Sequence, residues 1–510
     1  MASPPATEPP RHNEPIIIVG GGIFGLSTAL HLARRGYRNV TVFDKQACET
    51  LRYSYLDGAD GASADMNKII RSAYGAQTEY QALSAEAIAA WKQWNDELAS
   101  GATVPTGMSH DDRVFVQNGN LSLSTDAELP PWEVACIKGM EAAGYPDKML
   151  DTTNPRHRQL AEAAGMGFAL DPFRQAERQK PNVGVLDTTG GMAVADKACR
   201  FALHTAKLLG VKFVLGPEEG HLESICYDHE ADDDDTKDNA RRVLGIKTRD
   251  GKTHAAAMTV LACGGWTPVL LPQLDGLCEA TAGSVALLHI PDASPLRARL
   301  HPDNFPTWTW NIRSGAEGGL YGFPIDQNGW LKVGYRGTKY TNPLRHSDGG
   351  ERSTPATRWS PAHRDGQHPV GERLTSIPAQ ARRVIERFLD AYMPELASEG
   401  IGIAKTRICW YTDTFDNHFV VDRVPRTQGL MVATGGSGHA FKYLPNIGDW
   451  VVDVMEGVGL SRPAVRAWRW RRPDGENPPV NTLMTGARGD RALPNITLVS
   501  ESALGDRAKL

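Results

Sequence analysis

Apolar residues come first as an unbroken β-branched run, Ile16 to Val19, then at helical spacing, Leu26, Ala29, Leu30 and Ala33, and then as a second short run at Val40 to Phe43. This pattern predicts a buried strand, a helix ending near Gly36 and a second strand. Between the first strand and the helix, Gly20, Gly22 and Gly25 stand in GxGxxG spacing. There the chain must turn tightly and let a pyrophosphate approach its backbone, with Ile23 and Phe24 opening the helix whose amides and dipole face the phosphates. Asp44 ends the second strand 24 positions after Gly20, with Lys45 beside it. That is near the interval of roughly 20 residues at which an acid accepts ribose hydroxyls and repels a 2′-phosphate, so a dinucleotide other than NADP is expected. The glycines, His31 and the Arg34/Arg35 pair mark an amphipathic helix rather than a membrane span.

Farther along, Leu83, Ala87, Ala90, Trp91 and Trp94 form one apolar face and predict a scaffold helix over 79–98. Residues 183–216 repeat the alternation of loop, helix (193–208) and strand (211–215), as if the nucleotide domain resumed after an insertion. The acidic run at 230–242 reads as a solvated hairpin loop, and 258–266 as a buried strand ending in glycines. Between 280 and 335, SVALLHI, TWTWNI, GLYGFPI and GWLKVGY are separated by Pro, Gly and Asn, which are antiparallel-sheet signals. A polar stretch at 340–370 reads as a long loop able to cover an entrance. A helix at 377–391 follows, then a glycine loop and an amphipathic helix over 435–457. The expected fold is α/β plus antiparallel β: a discontinuous Rossmann-like domain over 15–100, 183–275 and 405–465, and a mixed or antiparallel-sheet substrate domain over 101–182 and 276–404. Residues 1–14 read as a disordered leader and 466–510 as a mobile tail.

Length and apolar content suffice for two cores. A net charge of −5 and a pI near 6.3 leave no basic footprint for nucleic acid. Seven widely spread cysteines without CxxC or His/Cys spacing indicate neither a disulfide framework nor a metal site. No apolar segment in the first 15 residues has signal-peptide character. The C-terminal Ala508-Lys509-Leu510 resembles the S-K-L peroxisomal address, so an import receptor is an expected partner and the peroxisome, otherwise the cytoplasm, the expected location.

Three separated motifs, GASADMNKIIRSAYG (61–75), RICWYTDTFDNHFVVD (407–422) and GGSGHAFKYLPNIG (435–448), resemble the monomeric sarcosine oxidase and fructosyl amino acid oxidase (amadoriase) family over about residues 15–470. The resemblance implies FAD held by the N-terminal motif, with Ser63, Asn67, Lys68, Gly438, His439 and Lys442 also at the cofactor. It implies oxidation of a secondary amine to an imine, with oxygen as acceptor. Cys409 occupies the position of the family cysteine that forms a thioether to the flavin. Lys332 resembles the lysine that activates oxygen, where a fixed cation stabilises negative charge developing on oxygen in a dry site. Arg71 and Lys442 resemble the cation pair that grips the substrate carboxylate. Tyr321 matches an active-site tyrosine, Arg336 replaces the histidine of sarcosine oxidases at a catalytic position, and His439 positions rather than transfers protons. The Asn67-Lys68 pair is amadoriase-like, so the chain mixes two subfamilies, and the departure at Arg336 puts sarcosine itself in doubt.

The leading expectation is an FAD-dependent oxidase of an N-alkyl, foremost N-methyl, L-amino acid that releases hydrogen peroxide. Fructosyl amino acids are the alternative substrates, as are pipecolate and saccharopine. A further alternative is an N-methyl aromatic amino acid whose ring traps the iminium in secondary metabolism. A pyridine-nucleotide flavin reductase would need a second GxGxxG, which the chain lacks. Retention of Cys409 and Lys332 argues against a purely partner-binding protein of the same fold.

Overall fold

The structure is a computed structural model that describes residues 8–228, 241–357, 375–473, 475 and 478–499. One sheet has six strands in the order Val420–Arg423, Leu430–Thr434, Met258–Leu261, Ile16–Val19, Val40–Asp44 and Lys212–Leu215. Every pairing is parallel except that of the edge strand Val420–Arg423. Parallel strands are covered on both faces, which is why Ile16–Val19 reads as continuously apolar rather than alternating. Helix Ile23–Arg34 packs against helix Ile447–Glu456. The approach is close because Gly448 has no side chain: a Cβ there would lie 2.0 Å from the Ser27 carbonyl oxygen. Arg35 bridges the pair to Asp449, Asp453 and Glu456.

The second sheet has eight strands, Ile403–Thr414, Cys278–His289, Trp330–Tyr340, Leu320–Gly322, Thr307–Trp310, Asn120–Ser124, Val183–Asp187 and Met149–Asp151. It is mixed, because Thr307–Trp310 runs parallel to Asn120–Ser124 while the other neighbours are antiparallel. Strand alternation divides its residues between two faces. Ala286, Leu288, Leu331, Val333 and Trp410 pack with Val384, Ile385 and Phe388 of helix Ala379–Tyr392. On the other face the register sets Gly283 opposite Cys409, Val285 opposite Arg407 and Gly334, and Leu287 opposite Lys332. That second face forms one wall of the site described below. A small sheet of Asn67–Ile70, Gly191–Val194 and Phe115–Val116 lies on the chain that links the two.

Several expectations need correction. Val183–Asp187 and Ile403–Thr414 belong to the eight-stranded sheet, although the sequence reading groups 183 and 405 onward with the nucleotide domain. Part of the 340–370 stretch is a hairpin, Pro343–Arg345 with Glu351–Ser353, and residues 358–374 lie outside the described residues. The tail is not free of the fold. Leu498–Val499 pairs with Ile377–Pro378, Thr341 exchanges backbone hydrogen bonds with Arg491 and Leu493, and Arg491 also donates to the Lys339 carbonyl. An Arg- and Pro-rich composition hides such attachment because backbone bonds carry it. The acidic run 230–242 lies almost wholly outside the described residues, but its flanks Leu222–Tyr227 and Arg241–Thr248 pair antiparallel. The leader is described only from residue 8, and Ala508 to Leu510 lie outside the described residues.

Candidate active site

A cavity of about 340 Å³ is lined from both sheets. At one end stand Gly20, Gly22, Ile23, Phe24, Asp44, Lys45 and Ser63. Gly20 has φ +106°, and a Cβ there would lie 2.4 Å from the Ala262 carbonyl oxygen. Gly25 lies beneath the turn, where a Cβ would come 1.8 Å from the Gly20 oxygen. The glycine turn is therefore folded hard against backbone that a side chain at either position would strike. Asp44 accepts the Gly21 amide at 2.7 Å and the Gln46 amide at 2.8 Å. Burial raises its pKa, against the pull of those two donors. Lys45 lies 4.1 Å over the Trp266 ring, and Ser63 Oγ accepts the Ile23 amide at 3.2 Å.

The other end is lined by Lys68, Arg71, Tyr321, Arg336, Cys409, Gly438, His439 and Lys442. Two glycines of the sheet make its space. A Cβ on Gly334 would lie 2.1 Å from the Tyr321 ring, and Gly283 faces Cys409 across the register. Cys409 is a buried free thiol, as its place on an inward strand face requires. Burial raises the Tyr321 phenol well above its ordinary pKa. Arg336 donates to the Tyr411 hydroxyl and to the Gly438 and Ser437 carbonyls, at 3.2, 3.2 and 3.3 Å. It thereby clamps the glycine loop, in which Ser437 has φ +44°.

Lys442 is 3% exposed and donates to the Tyr74 hydroxyl at 2.5 Å. That hydroxyl lies 3.0 Å from His439 Nδ1, while His439 Nε2 lies 3.0 Å from the Asn417 carbonyl. A carbonyl only accepts, so Nε2 carries the proton and Nδ1 accepts from Tyr74. The chain Lys442, Tyr74, His439, Asn417 thus has one direction, with no free lone pair on the imidazole. Burial, with Lys442 nearby, holds His439 well below its usual pKa. Burial and Arg71 hold Lys442 well below the usual lysine range. Arg71 lies 5.3 Å from the Tyr74 ring centre.

Lys332 and Asn67 are placed differently. Lys332 is fully buried, so the strand does turn it inward, but it does not line this cavity. Its ammonium donates to Asp65 Oδ2 at 2.7 Å and to the Asn67 carbonyl at 2.8 Å, behind Phe323, whose ring centre is 4.7 Å away. Asn67, with Asp65, Met66, Val285, Leu287 and Arg407, lines a second cavity of about 1090 Å³. The sequence reading gave no role to Tyr74, Tyr411 or Asp65. Tyr411 lies two positions after Cys409 in a strand, and that spacing alone places both on one face. Asp65 and Tyr74 lie inside the quoted 61–75 motif, without a period to single them out.

The family model described as FAD dependent oxidoreductase matches residues 15–454. The chain belongs to this FAD-dependent oxidoreductase family. An L-saccharopine oxidase from Schizosaccharomyces pombe is 27% identical over 462 residues, covering 90% of this chain and 93% of that protein. A monomeric sarcosine oxidase from a Bacillus species is 23% identical, covering 86% and 92%. Among solved structures, the deglycating fructosamine oxidase of Aspergillus fumigatus (Amadoriase II) has TM-score 0.65 at 27% identity, covering 90% of each chain. A modified fructosyl peptide oxidase from Aspergillus nidulans has TM-score 0.71 at 26% identity, covering 96% and 99%.

FAD fits the residues of this family member. Gly20, Gly21 and Gly22 line the cavity as bare backbone, Asp44 keeps acceptor capacity at the end of the second strand, and the cavity continues from them to Cys409. Among the described residues no group of three or more His, Cys, Asp and Glu could hold a metal ion, and no helix is long and apolar enough to cross a membrane.

Proposed function

We propose that this chain is an FAD-dependent oxidase of secondary amines whose substrates are N-alkyl, foremost N-methyl, amino acids. Bound FAD supplies the two-electron acceptor, and oxygen takes those electrons on to hydrogen peroxide. The observation that carries the reading is Lys442: a buried amine in the cavity wall, beside Arg71, with no ion-pair partner among the described residues. A carboxylate entering between Arg71 and Lys442 completes the charge balance that the protein leaves open. It orients the substrate toward Cys409 and Tyr321. Arg71, Lys442, Arg336 and Lys68 all line this end, and so many cations favour the neutral amine over its ammonium form. His439 has both ring nitrogens engaged, so it fixes Tyr74 and the loop and takes no proton from substrate.

Cys409 is assigned the covalent link to FAD, supported by its place in the cavity wall opposite Gly283. Lys332 is assigned the oxygen half-reaction, supported by its buried charge one strand from Cys409's neighbours. The Ala508-Lys509-Leu510 end is assigned peroxisomal import, which deletion of those three residues in a fluorescent fusion tests.

Fructosyl amino acids are the second reading, and the likeness to a deglycating fructosamine oxidase and a fructosyl peptide oxidase, at TM-scores 0.65 and 0.71, favours it. An N-methyl aromatic amino acid whose ring traps the iminium is a third. One experiment separates them: purified enzyme, made anaerobic, is mixed with N-methyl, fructosyl and cyclic amino acids and with saccharopine. Bleaching of the flavin absorbance, followed by peroxide on admitting air, identifies the class. If none of these bleaches the flavin, the amine oxidase reading fails.

A further inference from the structure

Asp65 sits where three separate parts of the chain meet. Its Oδ2 accepts from Lys332 at 2.7 Å and from Lys68 at 2.6 Å, and the Arg407 guanidinium lies 3.1 Å away. Its Oδ1 accepts the Met66 amide at 2.8 Å. Lys332, Asp65 and Arg407 are all buried, and Lys68 is mostly so. One carboxylate therefore holds three cations in the interior, an arrangement that repels itself if the carboxylate is removed.

The cluster also marks a boundary. Lys68, Tyr321, Phe323 and Cys409 line the first cavity, whereas Asp65, Asn67 and Arg407 line the second. Lys332 stands in the wall between them, with two of its three N–H donors committed to Asp65 and the Asn67 carbonyl. The third lies under the Phe323 ring, whose centre is 4.7 Å from the nitrogen. Beside it, the buried Asn67 side-chain oxygen has no hydrogen-bond partner.

We propose that Asp65 is the positioning residue of the oxygen half-reaction, holding Lys332 charged and fixed in the wall between the two cavities. The inference rests on the assignment of Lys332 to oxygen. In that half-reaction two electrons and two protons pass from the reduced cofactor to O₂, giving H₂O₂, and the ammonium stabilises the anionic oxygen formed after the first electron. Its cationic neighbours Lys68 and Arg407 work against the ammonium by repulsion. Among the described residues Asp65 is the carboxylate that pairs with Lys332. Burial pulls Lys332 down to about 7, and Asp65 is the largest opposing influence. Removing its charge moves the loss of the Lys332 proton to still lower pH.

The test uses the FAD-loaded full chain, with Asp65→Asn and Asp65→Glu variants reduced by light rather than by an amine and then mixed with oxygen. Asp65→Asn is expected to reoxidise more than tenfold more slowly at pH 7, and the pH at which the rate falls is expected to move down by a unit or more. Asp65→Glu, keeping the charge, is expected to recover most of the rate. A readout independent of turnover is the Lys332 resonance in ¹³Cε-lysine NMR, assigned with Lys332→Met, whose titration midpoint should fall in parallel. An Asn variant with wild-type reoxidation and an unmoved Lys332 midpoint overturns the proposal. If the Asn variant does not accumulate, Asp65→Glu decides: the pH at which its reoxidation rate falls must follow its own Lys332 midpoint, and a rate profile that departs from that midpoint overturns the proposal. Reduction by light keeps this outcome separate from the substrate question, since it stands whether or not any amine is oxidised.

Discussion

The amine of Lys442 donates to the Tyr74 hydroxyl at 2.5 Å, in a cavity wall that Lys442 shares with Arg71. Its pKa is depressed in the folded protein, so it takes up a proton when a carboxylate arrives. Substrate binding is therefore expected to draw about one proton from solution at alkaline pH, visible as a buffer-dependent binding enthalpy, and affinity is expected to weaken as pH rises. Lys442→Met should raise KM for a carboxylate substrate by roughly 100-fold, about 2.7 kcal/mol at 1.36 kcal/mol per decade. It should not lower the melting temperature, because it replaces a buried amine that has no ion-pair partner among the described residues by an apolar chain of similar length. A destabilised variant with unchanged KM would assign Lys442 to structure alone.

Cys409 gives a yes-or-no measurement. The thiol is buried in the cavity wall, with Gly283 opposite it leaving room. Acid-precipitated protein is expected to keep its yellow colour in the pellet, and Cys409→Ser is expected to release it to the supernatant. Colour in the supernatant of the unmodified protein removes the covalent link while leaving FAD binding intact.

The nucleotide half of the site was legible because its signals are local. Strand, glycine turn, helix and acid follow one another within 30 residues, and each has its own sterically imposed residue type. Ile16–Val19, Ile23–Arg34 and Val40–Asp44 stand where the pattern put them. The substrate half was legible only residue by residue. That Arg71, Tyr321, Cys409 and Lys442 meet depends on pairings across hundreds of positions, which no period encodes. Lys332 shows the limit most clearly. Alternation correctly turned it inward, but what it turned toward, Asp65, is 267 residues away. The tail failed for a related reason, since its attachment runs through backbone hydrogen bonds that composition does not register.

Gly25 tests the glycine turn. A methyl group there would lie 1.8 Å from the Gly20 oxygen and 3.0 Å from the Gly20 carbonyl carbon, backbone atoms that cannot swing aside as a side chain can. Gly25→Ala is expected to cost at least about 3 kcal/mol, the size of the larger single-site effects. The measurable outcome is purified protein with little bound FAD and a melting temperature lowered by several degrees. Normal FAD content would mean that the turn relaxes.

Arg336 tests specificity. Its guanidinium spans Tyr411 and the carbonyls of Ser437 and Gly438, and so fixes a loop held partly at positive φ. Arg336→His gives up at least one of these bonds and vacates volume beside Tyr321. Each hydrogen bond to a charged donor contributes roughly 1.5–3 kcal/mol. The variant is expected to lose 10- to 100-fold in kcat/KM for its best substrate and to improve relative to it on N-methylglycine. A uniform loss across substrates would place Arg336 in loop support only.

Lys332 carries the pH prediction. Burial lowers its pKa to about 7 against the pull of Asp65. Below that value the ammonium is present and can stabilise anionic oxygen; above it the charge is lost. Reoxidation of reduced enzyme should therefore be fastest below about pH 7 and slow as pH rises through it, by up to tenfold per unit while Lys332 dominates. Lys332→Met should be slow at every pH, by 100-fold or more, with a flat profile and near-normal anaerobic reduction by substrate. The same shift has a sign for stability. A lysine whose folded pKa lies below its unfolded value of about 10.4 binds fewer protons when folded between the two, so its cost to folding eases as pH rises from 7 toward 10. Lys332→Met should remove that part of the rise in a pH series of melting temperatures. A wild-type profile that climbs with pH through 7, in rate, would require a group other than the Lys332 ammonium to receive the electron charge on oxygen.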